Sequence, residues 1–111
     1  MSTITIEKGS GNVYADLGMA DAQEMLVKAK LASKIGDIIR RQNLTQQQAA
    51  ELLAMPQPKV SMLLRGQFRG ISEAKMLECL ARLGRDVDIV VKPARRRAVA
   101  GAAGRVNVVF A

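Results

Sequence analysis

Residues 46–66 read QQQAAELLAMPQPKVSMLLRG, and this stretch decides the fold of the 111-residue chain. Its apolar residues fall in two short runs separated by Pro56, and a proline biases the residue before it away from helix. Thr45 and Gln48 have the spacing of a capping box, which predicts a short helix that ends before the proline. A second short helix is predicted after the proline, and Gly66 has the position of its C-terminal stop.

Two short helices joined by a tight turn form a helix-turn-helix when they pack nearly perpendicular to each other. The second helix crosses over the fifth residue, which must be small and is Ala50. Apolar residues are required at the fourth, eighth, tenth, fifteenth and eighteenth places, which hold Ala49, Leu53, Met55, Val60 and Leu63. The ninth place, usually glycine, holds Ala54, where a positive φ would cost about 1 kcal/mol or more. The alternative is a turn of different geometry caused by Pro56.

Two further helices are predicted on either side of the motif. The first begins with Asp21 as its N-cap and runs to about Gln42, because apolar residues recur at steps of three and four. These residues are Met25, Ala29, Ala32, Ile35 and Ile39. The second runs from the N-cap Ser72 to Leu83. Its predicted apolar positions are Ala74, Leu77, Cys79, Leu80 and Ala81.

The C-terminal part of the chain has a different pattern. Residues 87–91, VDIVV, predict a β-strand, and residues 106–110 could pair as a second one, within the chain or across a dimer. Between them lies a basic tract that contains Arg95, Arg96 and Arg97. We therefore predict a mainly α fold: a bundle of four to five helices with a short C-terminal β-strand. The predicted parts are a flexible segment 1–20, a helix-turn-helix domain 21–84, and a strand plus basic tail 85–111.

Composition restricts the classes of function. The formal net charge of +7 favours nucleic acid as a partner, with an anionic membrane surface second. The chain has no histidine and one cysteine, Cys79, so we expect no metal site, no cofactor and no enzymatic activity. Cys79 falls in an apolar helical pattern and is predicted to be a buried structural thiol. No apolar stretch is long enough to span a bilayer, and a cytoplasmic location is expected.

The motif resembles the lambda-repressor-like, or XRE, family of helix-turn-helix regulators. The resemblance is carried by Thr45-Gln46 at the start of the first motif helix, Val60-Ser61 inside the second, and Leu64-Arg65-Gly66 at its end. With a leading and a following helix it covers about residues 32–83. It implies a lambda-repressor-like bundle that binds operator DNA as a homodimer.

A narrower resemblance concerns the residues before the leading helix. Residues 11–18, GNVYADLG, are similar to antitoxins of the HigA kind. That resemblance implies repression of the protein's own operon and neutralisation of a RelE/HigB-like toxin, a ribosome-dependent mRNA endonuclease. The alternatives are a stand-alone or phage-type repressor without a toxin partner, a toxin-binding module with little DNA specificity, and a non-specific nucleic-acid chaperone that acts through its basic tail.

The resemblance and the chemistry of the side chains indicate the candidate DNA-binding residues. Gln46 resembles a family glutamine that contacts a phosphate and braces the second helix. Gln57 resembles the first exposed residue of the recognition helix, where an amide can hydrogen-bond the N6/N7 edge of adenine. Met62 is suited either to a thymine methyl group or to the core. The remaining candidates for base or phosphate contact are Lys59, Ser61, Arg65, Gln67 and Arg69.

Overall fold

A computed structural model of the chain describes residues 13–93 and 104–111, with side chains from residue 22 onward. The described residues form two compact units: residues 28–88, and a second unit made of the described residues up to 27 and from 89 onward. The predicted motif lies wholly in the first unit. Residues before 13 and the basic residues Arg95, Arg96 and Arg97 lie outside the described parts of the chain.

Helix α1 spans Val13–Arg41 and ends as predicted, but it begins earlier than the predicted N-cap Asp21. Asp21 therefore lies inside the helix. The prediction was wrong because the glycines and polar residues of segment 1–20, with Gly18 among them, indicated flexibility up to residue 20. A single glycine costs a helix only about 1 kcal/mol, and a helix that has already nucleated can extend through it. Within the unit of residues 28–88, the buried face of α1 consists of Leu31, Ala32, Ile35, Ile38 and Ile39.

The motif forms the two short helices that its spacing predicts. Helix α2 spans Gln46–Leu53 and helix α3 spans Gln57–Leu64. All six predicted packing positions are buried: Ala49, Ala50, Leu53, Met55, Val60 and Leu63. The helix-turn-helix reading of this stretch is therefore confirmed at the level of its packing.

Helix α4 spans Glu73–Arg82, and the side chain of Ser72 caps it by accepting a hydrogen bond from the Lys75 N–H at 3.1 Å. The predicted cap is confirmed, but the predicted apolar face was partly wrong. Cys79 and Leu80 are buried, whereas Ala74 and Ala81 are exposed and Leu77 is only half-buried. The buried positions recur at steps of three and one and belong to larger side chains, namely Met76, Cys79, Leu80 and Leu83.

The four described helices share one kind of C-terminal end. A residue one or two positions past each helix lies in the left-handed region, with φ of 54° at Asn43 and Ala54, 80° at Gly66 and 92° at Gly84. At each end two backbone N–H groups turn back to carbonyls of the last helical turn, which is the Schellman arrangement. These bonds satisfy carbonyls that a helix end would otherwise leave without partners. Each of the four helices therefore ends with hydrogen bonds to carbonyls of its last turn.

The predicted C-terminal strand is not seen. Residues 87–91 and 106–110 have no regular secondary structure, and the described part of the chain contains helices but no strand. Ile89, Val90 and Val91 are 76%, 72% and 90% exposed. The sequence pattern that predicted a strand shows only that these side chains suit one. A strand also needs a neighbour with which to hydrogen-bond, and the described residues provide none.

Candidate nucleic-acid interface

The first motif helix begins at a complete capping box. The Thr45 side-chain oxygen accepts a hydrogen bond from the Gln48 N–H at 3.0 Å, and Gln48 Oε1 accepts one from the Thr45 N–H at 2.9 Å. Two backbone donors that the helix start leaves open are thereby satisfied. Gln46 is the first residue of this helix, and its side chain is exposed. The cap thus fixes the backbone that carries Gln46.

The turn between α2 and α3 depends on Ala54. Its φ of 54° and ψ of 48° are left-handed, which decides between the two geometries open to the sequence. The Ala54 N–H donates to the Glu51 carbonyl at 3.3 Å, and the Met55 N–H donates to the Ala50 carbonyl at 3.0 Å. Met55 then turns into the core, where it is 7% exposed. The chain reverses with alanine where the turn of a helix-turn-helix usually has glycine.

Helix α3 follows directly and presents the candidate reading surface. Pro56 is its N-cap residue, with an extended ψ of 141°, and Pro58 lies in its first turn. The inner side of the helix is anchored by Val60 and Leu63, which are 0% and 2% exposed. The other side chains of the helix are exposed, apart from Ser61 and Leu64, which are half-buried. The burial of one side fixes which side chains a ligand can reach.

The structure brings the predicted contact residues to the exposed side of α3 and the loop that follows it. Gln57, Lys59 and Met62 are exposed on the helix, and Ser61 is half-buried between them. Met62 is 40% exposed, so it belongs to the surface of α3 rather than to the core. Past the helix end, the exposed predicted residues are Arg65, Gln67 and Arg69.

The loop that carries Gln67 and Arg69 is tied to α1 by a lysine. Lys28 is 7% exposed, and its Nζ donates to the Arg69 carbonyl at 3.4 Å. The Gln67 N–H also donates to the Met62 carbonyl at 2.8 Å as part of the α3 end. The sequence gives no local sign of this contact, because the acceptor lies 41 residues away from Lys28 along the chain.

A second cation on α1 lies beside the C-terminal end of α3. Arg40 Nη2 donates to the Leu64 carbonyl at 3.3 Å, and its Nη1 lies 4.0 Å from the Asp37 carboxylate. The Arg40 side chain is 62% exposed, so it remains accessible to an anion. This places a further positive charge near Arg65, which sequence reasoning did not single out. The only sign of this position in the sequence is the spacing of three residues between Asp37 and Arg40, which is typical of an ion pair on a helix.

The opposite end of α2 is held by α4. Lys75 Nζ donates to the Leu53 carbonyl at 3.2 Å, and Arg82 Nη1 reaches the Leu52 carbonyl at 3.5 Å. Glu78 joins the two cations, because its Oε2 accepts from Lys75 Nζ at 3.2 Å and from Arg82 Nε at 2.8 Å. The hydrogen bond from Arg82, and then that from Lys75, lowers the pKa of the Glu78 carboxyl below 4.5. These groups position the motif and do not form part of its exposed surface.

Cys79 packs under the turn of the motif. It is fully buried, and its Sγ lies 3.6 Å from the Met55 Sδ. Burial raises the pKa of the Cys79 thiol above its ordinary value of 9.0. A buried thiol with a raised pKa is a poor nucleophile. The predicted structural role of Cys79 is confirmed.

The described residues offer few places for other chemistry. A shallow cavity of about 220 Å³ lies beside Gly36 and is lined by Ala29, Ala32, Ser33, Arg40, Leu63, Leu64, Gly66 and Phe68. Residues 13–93 and 104–111 contain no group of three or more potential metal ligands close together. No helix in the same ranges combines the length and apolarity required to cross a membrane.

Comparison with known proteins identifies the family. The chain matches the family model described as a helix-turn-helix domain over residues 13–92. It is also similar to a solved structure described as "Putative XRE Family Transcriptional Regulator", with 37% identity and a TM-score of 0.72. That similarity covers 82% of this chain and 99% of the other. No curated protein gave a significant match. Neither description is that of an enzyme, in agreement with the predicted lack of enzymatic activity. Because the family model matches most of the chain and the similar structure is 37% identical, the chain belongs to the XRE family of helix-turn-helix proteins.

Proposed function

We propose that this protein is a sequence-specific DNA-binding transcriptional repressor. The observation that carries the proposal is the geometry of α3, whose inner residues Val60 and Leu63 are buried while Gln57 and Met62 face solvent. A helix of this kind fits the major groove of B-DNA, which is wide enough to admit it. The similar solved structure is described as a transcriptional regulator, which supports the same function here.

The side chains on α3 suit a division between base and phosphate contacts. Gln57 can form two hydrogen bonds with adenine N6 and N7, and Met62 can pack against a thymine methyl group. Ser61 lies between them and can bond to a base edge or to a phosphate. Around this centre, the residues suited to phosphate contact are Gln46, Lys59, Arg65, Gln67 and Arg69.

Two copies would bind one operator. In a symmetric dimer the two α3 helices enter successive major grooves about 34 Å apart, so that the operator is a near-palindrome. We place the dimer contact on the outward side of α4 and on residues 87–91. Ala74 and Ala81 are exposed on α4 with half-buried Leu77 between them, which gives that helix an apolar outer stripe. A monomer in sedimentation at micromolar concentration would contradict this part of the proposal.

The decisive experiment is binding of the purified protein to about 200 base pairs upstream of its gene, compared with scrambled DNA of the same composition at about 150 mM salt. We expect the upstream DNA to bind roughly a thousandfold more tightly. Gln57→Ala should reduce this ratio by roughly tenfold or more, since a lost base contact costs about 1–3 kcal/mol.

The matched control is Gln47→Ala, which removes an exposed glutamine from α2 rather than α3. It should leave the ratio unchanged. Equal and salt-sensitive binding of the wild-type protein to both DNAs would overturn sequence-specific repression. That result would favour charge-driven association, as expected of a nucleic-acid chaperone.

We further propose that the protein is the antitoxin of a RelE/HigB-like toxin and represses the operon that encodes both. The support is the resemblance of residues 11–18 to HigA-type antitoxins. The proposed toxin-binding surface is the N-terminal segment 1–20 together with the exposed side of α1. Deletion of residues 1–12 removes no residue of a described helix. We expect this deletion to abolish toxin neutralisation in a translation assay and to preserve operator binding.

The control for this test is the full-length Gln57→Ala variant, which should neutralise the toxin normally while it binds the operator weakly. Unchanged neutralisation by the truncated protein would contradict the assigned toxin surface. The absence of a toxin gene beside the protein's own gene would favour a stand-alone or phage-type repressor. Full neutralisation by wild-type protein without operator specificity would favour the toxin-binding module.

A further inference from the structure

The exposed apolar segment 87–91 belongs to the shared domain of the family. The family match runs to residue 92 and therefore includes it. Ile89, Val90 and Val91 are between 72% and 90% exposed, and Val87 is 38% exposed. Contiguous apolar surface of this kind marks an interaction site in a soluble protein. What covers the segment can be argued from its sequence, because the charged residues on either side of it restrict the partner.

The segment 86–92, DVDIVVK, is complementary to itself when two copies run antiparallel. With Ile89 opposite Ile89 of the second copy, Val87 lies opposite Val91, and Asp86 lies opposite Lys92 at both ends. Side chains alternate between the faces of a strand, so Val87, Ile89 and Val91 share one face. This register gives three apolar cross-strand pairs on a single face and two pairs of opposite charge.

Neighbouring registers are poorer. A shift that brings Arg85 opposite Lys92 pairs like charges, which destabilises a strand pair. A shift that places Val90 opposite Val90 keeps two pairs of opposite charge, Asp88 with Lys92, but brings Pro93 opposite Val87 at both ends of the ladder. Proline has no N–H group and cannot donate to the ladder. The register centred on Ile89 combines charge pairing with a paired segment that contains no proline.

We propose that residues 86–92 of two copies pair as antiparallel β-strands around a two-fold axis at Ile89, and that this pairing forms the homodimer. The partner is a second copy of this chain. The inference rests on the proposed function in one respect, since it supplies the two-fold symmetry that a palindromic operator requires. A two-stranded ribbon is only marginally stable alone, so the dimer is expected to dissociate at low protein concentration.

Disulfide cross-linking tests the register directly. Residues opposite each other in an antiparallel pair have Cα atoms about 4.5–5.5 Å apart, within the range of a disulfide. In a Cys79→Ala background, Ile89→Cys should form a covalent dimer under mild oxidation by oxidised glutathione. Val90→Cys should not, because its Cα lies about 8 Å from its counterpart.

A mixed sample gives a second cross-linking readout. Val87→Cys and Val91→Cys should each remain uncrosslinked alone, because each residue lies about 14 Å from its own copy. They should form a disulfide heterodimer when mixed. Cross-linking through Val90→Cys in place of Ile89→Cys would overturn the register, and no cross-linking at any of these positions would overturn the pairing.

A charge exchange tests the same pairing without cysteine. Asp86→Lys and Lys92→Asp each bring like charges together twice in a homodimer, and each should weaken dimerisation about fivefold in sedimentation. A mixture of the two variants should form heterodimers of about wild-type affinity, because both charge pairs are restored. Failure of the mixture to recover would contradict the proposal. Circular dichroism of each variant confirms that the helices are folded.

Operator binding by one further variant, Ile89→Asp, separates this inference from the proposed function. Ile89→Asp should make the protein monomeric and reduce its affinity for the whole operator, while the preference for a single half-site over scrambled DNA is retained. A dimeric Ile89→Asp protein would overturn the strand pairing and leave sequence-specific binding intact. Equal binding of all variants to operator and scrambled DNA would overturn the function, whereas the cross-linking result would still stand.

Discussion

Ala54 holds a backbone conformation that its own side chain disfavours. The left-handed region brings the Cβ of an L-residue too close to a carbonyl oxygen, at a cost of about 1–2 kcal/mol that glycine avoids. Asn43 has the same φ of 54°, but asparagine adopts the region more readily than alanine does. The turn keeps Ala54 in place because Leu53 and Met55 are buried on either side of it. Strain at this one residue is offset by the packing of its neighbours.

Replacement of Ala54 by glycine should therefore stabilise the protein. We expect the free energy of unfolding in urea to rise by about 0.5–1 kcal/mol, because the relief of strain exceeds the extra freedom of glycine in the unfolded chain. Ala22→Gly is the matched control, since Ala22 is exposed inside α1 and outside the proposed dimer contact. It should lower the free energy of unfolding by about 0.5 kcal/mol. Destabilisation by both variants would contradict the strained turn.

Cys79 should make stability depend on alkaline pH. Its thiol has a raised pKa in the folded protein because it is buried, whereas in the unfolded chain it ionises near 9.0. The contribution of the neutral thiol is therefore complete below about pH 9 and declines as pH rises through the raised pKa. Between about pH 8 and pH 10, we expect Cys79→Ala to lose less unfolding free energy than the wild-type protein. Equal losses in urea titrations would count against this role, as would rapid reaction of the native thiol with Ellman's reagent.

At the scale of elements, α4 stabilises the end of α2. Lys75 and Arg82 place positive charge beside the last carbonyls of α2, where the helix dipole favours cations. Glu78 hydrogen-bonds to both and restricts their positions. Because α2 and α3 share a tight turn, the cluster also limits the angle at which α3 meets the rest of the domain.

Glu78→Gln should weaken this link in a pH-dependent way. The pKa of Glu78 is lowered, chiefly by the hydrogen bond from Arg82, so its contribution is present above about pH 4.5 and is lost as pH falls through the lowered pKa. We expect the variant to unfold at a lower urea concentration than wild type at about pH 7 and at a similar one at about pH 3. Glu51→Gln, which changes an exposed glutamate on α2, should show no such difference.

The elements also show how far sequence reasoning reaches. The two motif helices were predictable because capping and packing positions lie within a few residues of each other, as with Thr45 and Gln48. The start of α1 was missed because the glycine-rich, polar composition of residues 1–20 indicates a local preference that the longer helix overrides. The bond from Lys28 to the Arg69 carbonyl spans 41 residues and has no local signature. The residues predicted to lie on the exposed side of α3 lie there, but the contacts that hold the loop after α3 could be identified only in the structure.

For the whole molecule, positive charge should set the overall affinity for DNA, and the side chains of α3 should set the preference for operator DNA over random DNA. The formal charge of +7 favours any polyanion, and each phosphate contact releases condensed counterions from DNA. Specific and random DNA should therefore share much of their salt dependence. The two contributions are separable, because Lys59 and Gln57 lie on the same helix but differ in charge.

Salt titrations should separate the phosphate contact of Lys59 from the base contact of Gln57. We expect Lys59→Ala to reduce the slope of log K against log salt by about 0.9 per subunit, for operator and scrambled DNA alike. Gln57→Ala should leave the slope unchanged and lower the affinity for the operator only. An unchanged slope for Lys59→Ala, measured by fluorescence anisotropy between about 50 and 200 mM salt, would remove Lys59 from the phosphate contacts.

The way α3 is anchored has a consequence for how the protein could acquire new targets. Its position is set by Val60 and Leu63 on the buried side, by prolines at its start and by Gly66 at its end. None of these determinants lies among Gln57, Ser61 and Met62. Exchanges at these three places should therefore redirect the domain to other operators without a loss of foldedness. A regulator built in this way can change its DNA target rapidly after gene duplication, because the residues that contact DNA are separate from those that hold α3 in place.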